Sequence, residues 1–401
     1  MRRHWVITSG MVAIVGIGAL IAIFLTKGYS FSPREGRILG TGIIAVASLP
    51  TGASVYIDGH LTTATDTTIA SLSPKSYKIR ISKEGFIPWE KTVEVREGLV
   101  TDIKATLFPS LPTLFPLTYN GATNPTLSPD GQNLAFGVPT SSDSARIKSG
   151  IWVWTFDSGP IAFARGAQPH QIVASTPTLD FSQSQLKFSP DSKQLLVTLY
   201  EDKVIDQAHI RNYLLSLNSL ISQTDLRDIT PTVDSTIKTW AEDRKTKELA
   251  RISVLKDLEI KNIASASATP TGLRTDTVKW SPDETKIMVV KSSLTTPTPS
   301  SNQATIYDLG TPDQQFNTPK KYDLPGAFSY QWLPDSKHII LVNDAQISIV
   351  EYDGTNNSVV YAGSFEKSSV FPWLDSSRLV FITSYNTPTG ANPNLFGINL
   401  K

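Results

Sequence analysis

The sequence predicts a mainly β protein behind one N-terminal apolar helix, and three observations carry that expectation. A turn leading into a strand, first met as SPDGQNLAF at Ser128 to Phe136, returns four more times. The later copies are FSPDSKQLLV (Phe188 to Val197), WSPDETKIMVV (Trp280 to Val290), WLPDSKHIILV (Trp332 to Val342) and WLDSSRLVFI (Trp373 to Ile382). Ahead of them, short alternating runs between Ile43 and Leu107 read as strands of a separate small module. Ahead of both, Val6 to Leu25 is an uncharged stretch of twenty residues. Repetition at this scale marks a unit that buries its apolar face only by stacking on copies of itself.

Composition removes several function classes. The chain has 401 residues, 40% of them hydrophobic, so it can build two or three domains. Its 37 basic and 36 acidic residues balance, and no nucleic-acid partner is expected. With no cysteine there can be no disulfide, thiolate metal site or cysteine nucleophile. The five histidines (His4, His60, His170, His209, His338) form no local metal signature, and neither a metal nor a cofactor is expected.

Taken in order, residues 1–5 are expected as a cytoplasmic stub and 6–25 as a transmembrane helix. Twenty residues at about 1.5 Å each match a bilayer core of about 30 Å. Arg2 and Arg3 precede the span, Trp5 sits at its edge, and Lys27, Arg34 and Arg37 follow. A cleavable signal peptide has a shorter apolar region, about 7 to 15 residues, so an uncleaved anchor is the expectation. Residues 26–41, with Gly28, Pro33, Gly36 and Gly40, read as a flexible linker.

Residues 42–108 make the small β module. Asp58 and Gly59 between alternating runs signal a hairpin, and YKIRI (Tyr77 to Ile81), TVEV (Thr92 to Val95) and TDIKATL (Thr101 to Leu107) add strands. The stretches ASLPTGASVYIDG and SYKIRISKEGFIPWEKTVEVREG, with the closing ATL, resemble a PEGA domain. Pro50, Gly52, Ala53, Asp58, Gly59, Tyr77, Gly85, Phe86 and Gly98 fall where that family places them. Thr63, Asp66 and Lys75 depart from its pattern. The resemblance implies a structural or carbohydrate-associated surface module of bacteria and archaea.

Residues 109–116, with Pro109, Pro112 and Pro116, read as a stiff extended connector, and the repeats fill 117–401. Each copy is followed by a second apolar strand, as in IWVWTF (Ile151 to Phe156) and ISIVEYD (Ile347 to Asp353). Turn, strand, loop, strand is most of a propeller blade, and the SPDG copies resemble those of the TolB-type propeller, a relative of the WD-repeat fold. Five blades are expected, with Ile161 to Phe181 as the place for a sixth.

Pro129, Pro190, Pro282 and Pro334 stand 61, 92 and 52 residues apart, against about 40 to 45 for a bare blade, so the second step carries an insertion. Ile237, Trp240, Ala241, Leu249, Ile252, Leu255 and Leu258 recur at helical steps, interrupted by charge between Ala241 and Leu249. A helix near 234–263, single or broken in the middle, is expected to lie across the propeller with this stripe down. Asp234 or Ser235 is expected as its N-cap. Pro139 to Ser149, Ala264 to Gly272 and Ser292 to Gln303 read as exposed polar loops.

The repeated Asp130, Asp191, Asp283, Asp335 and Asp375 are read as turn caps, not metal ligands, because equivalent residues of successive blades stand far apart. Trp280, Trp332 and Trp373 are read as equivalent residues packing between blades. No GxSxG elbow, P-loop or GxGxxG after a strand is present, so no enzyme is expected. The expected function is a membrane-anchored, extracytoplasmic binding or scaffolding protein whose propeller contacts another envelope protein. Its candidate partner-binding residues are Trp240, Arg244 and Lys245 on the insertion and Trp89 in the small module. Binding of cell-wall or surface-layer polysaccharide, with Trp89 as an exposed aromatic, is the alternative, and a hydrolase carries least weight.

Overall fold

The computed structural model describes residues 10–19, 29–32, 37–139, 149–156, 168–200, 210–268, 277–291, 302–311, 314–384 and 393–401. The chain divides into two compact units, Met1–Leu111 and Pro112–Leu400. Residues 10–19 are helical. The other parts of the expected span, 6–9 and 20–25, lie outside the described residues, and among those described no helix is long and apolar enough to cross a membrane. The stretch expected as a linker contains a short hairpin: β1 (Tyr29–Ser32) pairs antiparallel with β2 (Arg37–Gly40). Tyr, Phe and Ile favour strands, but four-residue runs are too short to show a period.

Seven strands follow: β3 (Gly42–Leu49), β4 (Ser54–Ile57), β5 (His60–Ala64), β6 (Thr67–Leu72), β7 (Ser76–Ser82), β8 (Trp89–Glu94) and β9 (Val100–Thr106). They form two sheets, ordered β6-β3-β9 and β5-β4-β7-β8. The inward residues of both sheets share one core, in which Ile44, Val46, Val55, Ile79, Ile81 and Ile103 are buried. Strand β7 shows why: Tyr77, Ile79 and Ile81 alternate with polar neighbours, so one face is wholly apolar. At the β4–β5 hairpin Asp58 and Gly59 both take positive φ, 49° and 84°, the pair of left-handed residues that a two-residue turn needs.

Trp89 corrects an expectation. It is 5% exposed and belongs to this core, opposite Ile81 in the β7–β8 ladder. Pairing sets its side chain on the inner face, so it offers no ring to a sugar.

Among the described residues the second unit is built from five antiparallel sheets, the first four of which follow the chain from one edge to the other. The first has β11 (Thr123–Leu127), β12 (Asn133–Val138), β13 (Gly150–Thr155) and β14 (His170–Ala174); β14 thus takes part of the segment held open for a sixth repeat. The second has β15 (Gln185–Phe188), β16 (Gln194–Tyr200) and β17 (Ile210–Ser216). The third has β18 (Thr277–Trp280), β19 (Lys286–Lys291), β20 (Gln303–Thr311) and β21 (Gln314–Asp323). The fourth has β22 (Ser329–Trp332), β23 (His338–Val342), β24 (Gln346–Glu351) and β25 (Ser358–Ala362).

The fifth sheet has β26 (Phe371–Pro372), β27 (Arg378–Thr383) and β28 (Asn394–Asn399), and its outermost strand comes from the other end of the unit. This is β10 (Leu114–Pro116), which pairs antiparallel with β28, Phe115 opposite Gly397. The segment expected as a connector therefore sews the unit shut. Pro116 is tolerated in this strand because an edge strand leaves one side of its backbone unpaired.

Packing runs from sheet to sheet and returns to the start. Ile151, Val153 and Ile172 of the first sheet share a core with Leu195, Val197 and Leu215 of the second. Met288 and Ile306 of the third pack with Tyr330, Trp332 and Leu341 of the fourth. Tyr361 of the fourth lies against Phe381 of the fifth, ring centroids 4.6 Å apart. Trp373 of the fifth stacks on Phe156 after β13, with centroids at 4.1 Å and an interplanar angle of 24°, and meets Trp154 edge-on at 5.8 Å. At the second and third sheets the insertion packs on both.

That insertion is two helices, α1 (Val233–Ser253) and α2 (Leu258–Ala268). Thr232, not Asp234 or Ser235, stands at the start of α1. Asp257 caps α2, its carboxylate accepting the Ile260 N–H at 3.0 Å. The part of the expected polar loop from Ala264 to Ala268 is helical, consistent with its alanines; residues 269–272 lie outside the described residues, as do 140–148 and 292–301 of the other two loops. Trp240 of α1 packs with Leu196 and Ile229 against the second sheet. Ile252, Leu255, Ile260 and Ala264 pack with Ile287, Val289, Tyr307 and Leu309 of the third. The expected stripe is thus only partly down, for Ile237, Leu249 and Leu258 are exposed.

Because Trp373 joins the last sheet to the first, its removal should open the ring at its seam. Trp373→Ala is expected to cost about 3–5 kcal/mol, the range for emptying a large aromatic site, read from denaturant unfolding of the whole chain.

Candidate functional site

The five repeated turns share one hydrogen-bond plan. In each, the Asp Oδ1 accepts the backbone N–H two residues on: Gln132 to Asp130 at 3.0 Å, Lys193 to Asp191 at 3.2 Å, Thr285 to Asp283 at 3.1 Å, Lys337 to Asp335 at 2.9 Å and Ser377 to Asp375 at 2.9 Å. In the first three, a serine two residues earlier also donates its hydroxyl to that oxygen: Ser128, Ser189 and Ser281. The fourth has Leu333 in that place, and His338 Nδ1 takes over at 2.6 Å from Asp335 Oδ2. Burial pushes the Asp335 carboxyl up, but the His338 ring and the N–H groups of Lys337 and His338 together hold it below its ordinary range.

The residue after each Asp has positive φ: Gly131, Ser192, Glu284, Ser336 and Ser376. Three of these serve the neighbouring sheet. Ser192 Oγ accepts the Asp130 N–H at 3.2 Å, Ser336 Oγ that of Asp283 at 3.0 Å, and Ser376 Oγ that of Asp335 at 3.1 Å. The place facing the second turn holds Glu284 instead. Its carboxylate accepts from Arg251 Nε of α1 at 2.8 Å, so a helix stands where a direct link would be.

The tryptophans also differ from expectation. The ladders put Trp280 opposite Ile287 and Trp332 opposite Ile339, whereas Pro372 stands at the corresponding place opposite Leu379. Trp373 is one position later, where the other copies have Ser281 and Leu333. WLD sets Trp two residues before Asp, and WSPD sets it three before.

Beneath α1 lies a cavity of about 890 Å³, lined by Pro129 and Asp130 of the first turn, Pro190 to Ser192 of the second, Val278 of β18 and the underside of the helix. That underside is Ala241, Arg244, Lys245, Glu248 and Arg251, spaced to share one face, with Lys247 at its flank. Trp240, two turns into the helix, and Ile252 near its C-terminal end anchor it, and the charged stretch between them lines the cavity. Glu248 is held by Trp280, whose Nε1–H donates to it at 2.5 Å, and Lys247 reaches the Pro190 carbonyl at 3.4 Å. Among the described residues, Arg244 and Lys245 have no carboxylate within ion-pair distance.

Of the residues proposed for partner contact, Arg244 and Lys245 therefore line the cavity together, Trp240 is a buried anchor for their helix, and Trp89 belongs to the other unit's core. Sequence reasoning missed Lys247, Glu248, Arg251 and Glu284. A signal was present, since the third repeat alone follows its Asp with an acidic residue, SPDE. Among the described residues, no three His, Asp or Glu side chains are placed to hold a metal. The arrangement can recognise charge.

The PEGA domain family matches residues 41–110, which take in the first unit's two packed sheets. Solved structures similar to the chain include a eukaryotic initiation factor (14% identity, TM-score 0.22, covering 71% of this chain and 57% of that one). TolB from Acinetobacter baumannii is another (13%, 0.23, 82% and 61%). The β-propeller domain of the Trilobed protease from Pyrococcus furiosus is a third (11%, 0.20, 89% and 95%). The chain spans less than two thirds of the length of the first two. No curated protein matches it.

The sign of the Asp335 shift fixes a pH dependence. A carboxyl depressed in the fold stabilises above its unfolded pKa and loses that contribution as pH falls through the folded value. Asp335→Asn should therefore lower the unfolding midpoint at pH 7, and the gap to wild type should narrow below about pH 4, near the ordinary carboxylate value. Thermal unfolding across pH checks this.

Proposed function

We propose that this protein is a membrane-anchored, extracytoplasmic binding or scaffolding protein, without catalytic activity, whose second unit is a five-bladed β-propeller of the TolB type. The observation that carries the reading is the helix held across the face of three sheets with a charged cavity beneath it. A stripe that packed fully would need apolar residues throughout, and here its middle is Arg244, Lys245 and Glu248. Ser192, the hydroxyl in the lining, is already the acceptor of a turn N–H. What remains available is charge, on a rigid frame, which suits recognition.

Anchoring is supported by the helix over residues 10–19. Met11, Val12, Ile14, Val15 and Ile17 are each more than half exposed, on every side of the helix. An uncharged helix without a polar face has no favourable place in water, whereas lipid accepts it. The polysaccharide alternative loses the aromatic on which it was built, because Trp89 is buried.

A photo-reactive residue in place of Lys247, which is exposed and lines the cavity, in the full chain within the producing cell, tests the reading. A discrete adduct with one envelope protein is expected from that position and not from Val359, exposed on the fourth sheet. No adduct, or the same adducts from both positions, contradicts it.

A further inference from the structure

We propose that the cavity under α1 takes an acidic segment of a peptide chain, with Arg244 and Lys245 holding its carboxylates. This rests on the reading of the protein as a binding protein and specifies what it binds. The cavity, about 890 Å³, lies in the upper part of the span usual for ligand sites, about 300–1,000 Å³, which is room for a few residues. Its roof supplies cations with no carboxylate partner among the described residues, Arg244 and Lys245, both exposed. Arg251 is already committed to Glu284 and Lys247 reaches the Pro190 carbonyl, so among the described residues Arg244 and Lys245 are the lining cations left to set the charge that a ligand meets.

The floor decides the class of ligand. Asp130 and Asp191 face the same space, and the turn uses only Oδ1 of each. The Ser189 hydroxyl and the Lys193 N–H hold the Asp191 carboxyl below its ordinary range, so it is ionised at neutral pH. A continuous polyanion would press its charges against these carboxylates. A peptide would not, because its backbone N–H groups can donate to Oδ2 of Asp130 and Asp191 while its own carboxylates reach the roof. Alternation of donor and acceptor walls fits a chain that carries both kinds of group.

Panning of random heptapeptides displayed on phage against the full-length chain in detergent tests the assignment, with Arg244→Gln/Lys245→Gln as comparison and inorganic polyphosphate as a separate probe. Wild type should enrich peptides containing Asp or Glu, and synthetic copies should bind the double variant at least about tenfold more weakly, as expected when charge-assisted contacts are lost. The variant should keep its unfolding midpoint, since both side chains are exposed. Enrichment without acidic residues, no enrichment, undiminished binding to the variant, or polyphosphate binding that the variant loses would each overturn the assignment. Should the adduct at position 247 persist while acidic peptides fail, the binding function stands and the peptide assignment falls; loss of both removes both.

Discussion

One hydrogen bond recurs between neighbouring sheets, from the N–H of a turn aspartate to the serine hydroxyl of the next turn. It joins the first sheet to the second, the third to the fourth and the fourth to the fifth. Each such bond is modest, about 1 kcal/mol net, but it fixes the height at which one sheet meets the next. Where Glu284 replaces the serine, that registration passes to α1, through Arg251 and through the apolar contacts of Trp240 and Ile252. A helix is wider than a hydroxyl, so the substitution leaves space. The cavity is the consequence of that spacing.

The other interruption has a different remedy. Gly131 has no side chain to offer the fifth turn, and the join from last sheet to first is made by β10 on β28 and by Trp373 on Phe156. Gly397 matters here because a β-carbon there would stand 2.6 Å from the Phe115 ring. The two weak points of one repeated contact are therefore repaired by a strand in one case and by a helix in the other. Only the helix creates a surface with unspent charge.

Much of this was legible in the residues. Alternation in Tyr77 to Ile81 and the turn chemistry of Asp58 and Gly59 announce the sandwich, and the SPD copies announce the sheets. The length between Pro190 and Pro282 announces the insertion. What stayed hidden depended on partners distant in sequence. Trp89 looks like any aromatic until pairing with Ile81 turns it inward, and Leu114 to Pro116 read as a connector because their partner strand lies at the other end of the unit. Arg244 and Lys245 were recognised as candidates, but the charged break in the helical stripe read as an irregularity. In the fold it is the roof of the cavity, and Asp130 and Asp191, read as turn caps, also form its floor.

If recognition takes place under α1, as proposed, the rest of the second unit serves to hold that helix over the turns. Ala241 is exposed and lines the cavity, so Ala241→Trp would set an indole ring in the space without altering charge or the anchors at Trp240 and Ile252. The most direct measurement is partner capture by that variant, made in the full chain and normalised to folded protein by its unfolding midpoint. Capture lost at an unchanged midpoint is the predicted result. Capture retained in a chain whose cavity is obstructed in this way would contradict it.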